Sequence, residues 1–146
     1  MFKRILLATD GSPHAEEALK YARDLALRDD ARVTVVYAFP AVPVYLGEPG
    51  RQELISQNVT EGKQVANHAA QKLREAGVDV IIEVLEGSPA DAILRVADVQ
   101  QCELIVMGSR GLGALTSLLL GSVSHRVLAH ARVPVLVVRA TEEEAE

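Results

Sequence analysis

The run Leu104-Ile105-Val106-Met107-Gly108-Ser109-Arg110-Gly111, followed after nine residues by Gly121-Ser122, carries a strand, a glycine-bearing loop and a helix start in one piece. Its four leading apolar residues fit a strand buried on both faces. Val123, Val127 and Leu128 recur at the spacing of the inner face of a short helix. A strand that opens into glycines and closes on a helix start makes a phosphate cradle. Glycine lets backbone N–H groups approach an anion, and the helix N-terminus adds unpaired donors and a partial positive charge. The chemistry this stretch points to is a nucleotide site.

Outward from it, strands and helices alternate along the whole chain. Ile5 to Thr9 reads as a first strand, and Gly11-Ser12-Pro13 follows as turn, N-cap and first helical residue. Ala15, Ala18, Leu19, Ala22, Leu25 and Ala26 then mark the inner face of a helix to about Arg28. Val33 to Phe39 is a second strand, and residues 40 to 51, rich in Pro and Gly, form a loop over the surface or over a site. A long helix is predicted from Glu53 to Ala76, with Ile55, Val59, Val65, Ala66, Ala69 and Leu73 inward and Gly77 as its left-handed cap. Val78 to Leu85 is a third strand. Gly87-Ser88-Pro89 repeats the turn, cap and proline device, opening a helix to about Val99 with Ala92, Ile93, Val96 and Ala97 inward. Pro134 separates the helix after Gly121 from a fifth strand, Val135 to Arg139.

Such alternation with continuous apolar strands predicts an α/β fold, one open parallel sheet with helices on both faces. Ligands of these sheets sit beyond the carboxyl ends of the strands, where the strand order reverses. Asp10 ends the first strand and Gly108 the fourth, so the two meet in one crevice if those strands are neighbours across the reversal.

Composition supports the same picture. The 146 residues, 49% of them apolar, suffice for one domain with a full core. We expect that domain over residues 1 to 140, with an acidic tail over 141 to 146. One cysteine, Cys102, leaves no internal disulfide and suits a reducing cytoplasm. The apolar N-terminal run is broken by Ala8-Thr9-Asp10, which favours a first strand over a signal start. No apolar stretch approaches the roughly 20 residues of a membrane span. A net charge of −5 argues against a general nucleic-acid binder.

Ile5-Leu6-Leu7-Ala8-Thr9-Asp10-Gly11-Ser12 resembles the start of the universal stress protein family. So do Ile105 to Gly111, Leu120-Gly121-Ser122-Val123-Ser124 and Val133-Pro134-Val135-Leu136-Val137-Val138. The resemblance spans about Met1 to Arg139 and includes that family's nucleotide signature intact. It implies a five-stranded sheet in the order 3-2-1-4-5, a Rossmann-like relative of the adenine nucleotide alpha-hydrolases, and homodimers through the last strand. It also implies ATP, or ADP or AMP, as ligand. Gly108, Ser109, Arg110, Gly111, Gly121, Ser122, Val123 and Ser124 would then hold phosphates and ribose. Asp10 would face the ribose or Mg²⁺, with Thr9 and Ser12 alongside, while Ala38 contacts adenine through its backbone and Met107 packs nearby. Position 8 is proline in some nucleotide-binding members; Ala8 changes backbone freedom there without closing the site.

Plainer readings stand beside these. The three glycines of the signature would also serve a simple long loop, and Gly113 is better read as flexibility than as contact. Asp10 is equally suited to bonding the backbone ahead of the first helix, and Ser122 to capping the last one. Arg110 is either a phosphate clamp or a solvated loop residue, and Leu118-Leu119-Leu120 fit burial better than a partner patch. His14, His68, His125 and His130 lack ligand spacing, the last two lying about 140° apart on a helix. Cys102 reads as a small buried residue.

No Walker sequence, no Ser-Gly-Gly-x-Asp-Ser motif of ATP pyrophosphatases and no base beside the phosphates is legible. The expectation is therefore an ATP-binding regulatory module of the stress response with little or no turnover. Slow ATP hydrolysis or self-phosphorylation on Ser109, Ser122 or Ser124 is the alternative, and a nucleotide-independent dimeric scaffold the second. A receiver domain is excluded, because Asp10 stands alone and Glu86-Gly87 follows the third strand. In the strand order that the resemblance implies, Val135 to Val138 is an apolar edge with open backbone groups, which invites pairing with a second copy.

Overall fold

The computed structural model describes residues 1–110 and 121–140. Five strands and four helices alternate: β1 (Arg4–Ala8), α1 (Pro13–Asp29), β2 (Arg32–Phe39), α2 (Gly50–Glu75), β3 (Asp79–Glu86), α3 (Pro89–Val99), β4 (Leu104–Gly108), α4 (Ser122–His130) and β5 (Val135–Val138). All neighbours in the sheet run parallel, in the order β3-β2-β1-β4-β5. The chain thus leaves β1 toward one edge and resumes at β4 on the other side of it. That reversal sets the carboxyl ends of β1 and β4 side by side, as the fold class predicts.

The period-2 alternation of strand side chains divides the core in two. Ile5, Leu7, Val33, Val35 and Val106 point to one face, where α1 and α2 cover them with Ala18, Ala22, Ala66, Ala69 and Leu73. Leu6, Val36, Ile105 and Met107 point to the other, against Ile93, Val96 and Ala97 of α3 and Val127 of α4. Alanines on α1 and α2 let these helices lie close to a sheet built from Val, Leu and Ile.

Local signals act as expected at two helix ends. Ser12 caps α1, its Oγ accepting the Ala15 N–H, with Pro13 following at the first helical position. Gly77, at φ +96°, closes α2 while its own N–H reaches the Arg74 carbonyl and that of Val78 reaches Leu73, the paired bonds of a Schellman ending. The second Ser-Pro start is different: Ser88 makes no side-chain cap bond, and only its carbonyl takes part, accepting from Ala92. Proline and backbone geometry open α3 without a hydroxyl.

Two expected inner faces are narrower than their periodicity. Helix α2 begins three residues before Glu53, and Ile55, Val59 and Val65 are only half-buried. Its 26 residues span roughly 39 Å, whereas the eight residues of β2 beneath it span roughly 26 Å. The first turns of the helix therefore overhang the sheet. Leu128 is 43% exposed, since α4 meets the core through Val127, one residue and about 100° away. A 3-10 turn at Val44–Leu46 occupies the middle of the loop after β2.

Gly62 lies where α2 crosses closest to the sheet. A Cβ there would stand 2.6 Å from Tyr37 Cδ1 and 2.7 Å from Val84 Cγ1. Glycine to alanine inside a helix ordinarily stabilises by about 1 kcal/mol. Here the sign reverses: Gly62→Ala is expected to destabilise by about 1–3 kcal/mol, read from the urea midpoint, because the helix must lift off its contact.

Candidate functional site

The loop leaving β1 is held by a backbone bond to β2 and by two bonds to its own side chains. The Thr9 N–H reaches the Val36 carbonyl at 3.0 Å, holding the loop to β2. Thr9 Oγ1 accepts the Gly11 N–H at 3.2 Å, and Asp10 Oδ1 accepts the Ser12 N–H at 2.9 Å. Gly11 turns the chain at φ +80°, a conformation a side chain resists. The plain reading of Asp10 is thus realised: its carboxylate shapes the turn into α1. It also lines a cavity.

The second wall is the junction of β4 with α4. Ser109 donates its N–H to Val138 at 2.7 Å, and its carbonyl accepts both the Gly121 N–H at 2.7 Å and the Ser124 Oγ–H at 2.8 Å. These bonds use the amides of Ser109 and Gly121 internally. The first-turn amides of α4, Ser122, Val123 and Ser124, have no carbonyl of the helix within reach and no other partner among the described residues. Gly121 is the N-cap residue and has no side chain to cap them; Ser122 stands one place inside the helix, not at the cap. The glycines have separate reasons. A Cβ on Gly108 would collide with His14, 2.7 Å from its Cβ and 2.8 Å from its carbonyl carbon, so this glycine admits α1 to the sheet. A Cβ on Gly121 would press 3.3 Å from Arg110 Cα and from the Ser109 carbonyl oxygen.

Between these walls lies a cavity of about 380 Å³. Ala8, Thr9, Asp10 and Ser12 line it from β1, Ala38 from β2, and Met107, Gly108 and Arg110 from β4. Gly121, Ser122, Val123 and Ser124 complete it from α4. Of the sequence-derived candidates, Ser109 is absent from this wall: its hydroxyl is buried on the far side, 3.0 Å from His14 Nδ1. Gly111 lies outside the described residues, as do Gly113 and Leu118-Leu119-Leu120. Four lining residues were not foreseen, namely Ala15, Val36, Pro89 and Ile93. Pro89 was legible in principle, since the Gly87-Ser88-Pro89 turn follows β3 at the same edge of the sheet, and Ile93 is one helical turn on. The lining is divided chemically: Val36, Ala38, Pro89, Ile93, Met107 and Val123 form an apolar part, while Asp10, Ser12, Arg110, Ser122 and the α4 amides form a polar one.

His14 is the residue that sequence reasoning passed over. Four per cent exposed in the first turn of α1, it touches both walls. Nδ1 lies 3.0 Å from Ser109 Oγ and accepts the Ala140 N–H at 3.0 Å, and Nε2 lies 2.9 Å from Arg110 Nη2. Burial holds the ring's pKa below its ordinary value, and the Arg110 guanidinium acts in the same direction; the Val138 carbonyl opposes them. A lone histidine carries no spacing signal, and only the fold gathers its partners, which are 95 and more residues away.

Residues 1–139 match the family model described as the universal stress protein family. A universal stress protein of Thermus aquaticus is 45% identical over 139 residues, covering 95% of this chain and all of that one. Among solved structures, hypothetical protein MJ0577 superposes with a TM-score of 0.89 at 30% identity, over 97% of this chain and 99% of its own. A universal stress protein family protein of Arabidopsis thaliana, solved with AMP bound, shares the fold at a TM-score of 0.75 and 20% identity, over 99% and 95% of the two chains.

The buried neutral histidine has a consequence for stability. A base whose pKa is lowered on folding contributes stability that is complete above its unfolded value, about 6.5, and is lost as the pH falls through the lower folded value. Urea midpoints are expected to decline from pH 6.5 toward 5, and His14→Gln to flatten that segment. Asp29 and Glu103, held low by the amides of Phe2 and Lys3, add a separate decline that starts only below about pH 4.5.

Proposed function

The chain belongs to the universal stress protein family, and from that premise we propose that it is an ATP-binding regulatory module with little or no turnover. One observation carries the reading: one cavity joins a helix N-terminus, whose first-turn amides have no partner among the described residues, to an apolar slot. An anion gains from the first-turn donors of α4 and from the helix dipole. An aromatic base gains from burial between Val36, Ala38, Ile93 and Met107, with orientation left to backbone groups. In this reading Ser122, Val123, Ser124 and Arg110 hold phosphates, Thr9, Asp10 and Ser12 face the ribose side, and the small side chains of Ala8, Ala15 and Ala38 leave room for the nucleoside. ADP and AMP fit the same chemistry with fewer phosphate contacts.

Magnesium would enter with the nucleotide. Among the described residues no three His, Cys, Asp or Glu side chains are grouped to hold a metal. A hard cation would therefore rest on the Asp10 carboxylate together with phosphate oxygens, a donor set that suits Mg²⁺. Bound there, it would neutralise phosphate charge.

Slow turnover follows from the arrangement. Asp10 is already engaged with the Ser12 N–H, and His14 is not among the lining residues, its ring being held between Ser109 and Arg110. Phosphoryl transfer without a positioned base or an arginine aimed at the leaving charge is slow. If self-phosphorylation occurs, burial favours Ser122 as acceptor over Ser109 and Ser124, which are 2% and 1% exposed and hydrogen-bonded inside the loop. The regulatory step is then a change of loop order or partner contact on nucleotide binding.

Titration calorimetry with magnesium ATP tests the proposal. We expect a saturable heat and a rise in unfolding free energy of about 2.7 kcal/mol at a hundredfold excess over Kd. Gly121→Val, which crowds the Arg110–Ser109 backbone, is expected to abolish the heat. Equal heats in both proteins would overturn the assignment.

A homodimer through β5 is part of the same proposal. Val135, Leu136 and Val137 are only half-buried, on a strand that among the described residues has a neighbour on one side alone. Parallel β4 takes half of its backbone groups, leaving the outer half to a second copy or to water. Val137→Pro is expected to shift sedimentation toward the monomer; an unchanged dimer would place the interface elsewhere.

A further inference from the structure

The surroundings of the His14 ring contain more donors than a neutral imidazole can accept. The Ala140 N–H points at Nδ1 and an Arg110 guanidinium N–H at Nε2, each within 3.0 Å. Neither of these groups can accept a hydrogen bond, and a neutral ring has one bare nitrogen. With Nδ1 bare, the ring holds Ala140 and presents an N–H to Arg110, a repulsive contact. With Nε2 bare, it holds Arg110 and turns its Nδ1–H toward Ser109 Oγ and the Val138 carbonyl, leaving the Ala140 amide without an acceptor there. Ser109 suits both cases, since a hydroxyl donates or accepts. Protonation would satisfy neither donor, and the other charges near the ring are Arg139, which opposes it, and Asp10, which favours it.

Two mutually exclusive arrangements sharing one ring make a two-state element. One partner, Arg110, lines the cavity. The other, Ala140, is on the chain just beyond β5, the strand at the open edge of the sheet. We propose that His14 is a positioning residue that relays the engagement of Arg110 to the chain leaving β5. When Arg110 turns to an anion in the cavity, the ring adopts the bare-Nδ1 tautomer and grips the Ala140 amide. When Arg110 donates to Nε2, that grip is released. The ring stays neutral throughout: the proton lost from one nitrogen to solvent is regained from solvent at the other. The coupling rests on the anion-binding reading of the cavity, but the relay itself is a property of the protein alone.

Arg110→Ala, with no ligand added, tests the relay directly. Long-range proton–nitrogen correlation of ¹⁵N-labelled protein reports the tautomer of His14, its signals identified by their loss in His14→Gln. Hydrogen exchange reports the Ala140 amide. The expected result is a shift to the Nε2–H tautomer in Arg110→Ala, with Ala140 exchange slowed roughly two- to tenfold, the range one neutral hydrogen bond supplies. A purely structural role for His14 would leave the Ala140 exchange unchanged in Arg110→Ala, and that outcome overturns the relay. Magnesium ATP is then added to the parent protein. Calorimetric heat accompanied by the same shift supports the coupling, and heat with an unmoved ring overturns it while leaving nucleotide binding intact. Absence of heat, with the Arg110→Ala response present, overturns the nucleotide reading and leaves the relay standing.

Discussion

The carbonyl oxygen of Ser109 accepts two hydrogen bonds, from the Gly121 amide and the Ser124 hydroxyl, and the geometry of the cavity depends on them. They pin together the two ends of the span between β4 and α4, whatever path the intervening residues take. Closing such a span has an entropic cost that rises only slowly with its length. The same carbonyl fixes where α4 begins, and so where its unpaired amides point. Ser109 in turn is anchored through its N–H to Val138 on β5, which ties the mouth of the cavity to the edge of the sheet.

Structural roles and cavity lining are merged at several positions of this mouth. Asp10 shapes the turn into α1 and presents its carboxylate to the cavity. Ser12 caps the helix and lines the wall. Gly108 lines the cavity, and its missing side chain also leaves the space that His14 occupies. A loop whose polar groups already satisfy one another is pre-organised, and pre-organisation lowers the cost of binding.

Periodicity and turn chemistry made most of the architecture legible. Apolar runs such as Leu104–Met107 mark strands buried on both faces, and the Ser12-Pro13 and Gly77 signals mark helix ends, because these depend on neighbours in the chain. Legibility failed where length or distance intervened. Ile55 and Val59 have the right spacing, but α2 outruns the strands beneath it. Leu128 shares the pattern of Val127, yet only a narrow stripe of α4 meets the core. Ser88 has the composition of Ser12 without its hydrogen bond.

The candidate site shows the same division. The amino-acid sequence by itself determined the glycine loop, the helix start after it, and the carboxylate ending the first strand, since each is a local matter of conformational freedom and capping. The tertiary structure alone decided that Ala15 and Val36 line the same cavity, that the Ser109 hydroxyl turns away from it, and that His14 sits between Arg110 and Ala140. Those facts arise from parallel crossovers that bring residues some hundred positions apart within hydrogen-bonding distance, and no short-range pattern encodes a contact made across such a separation.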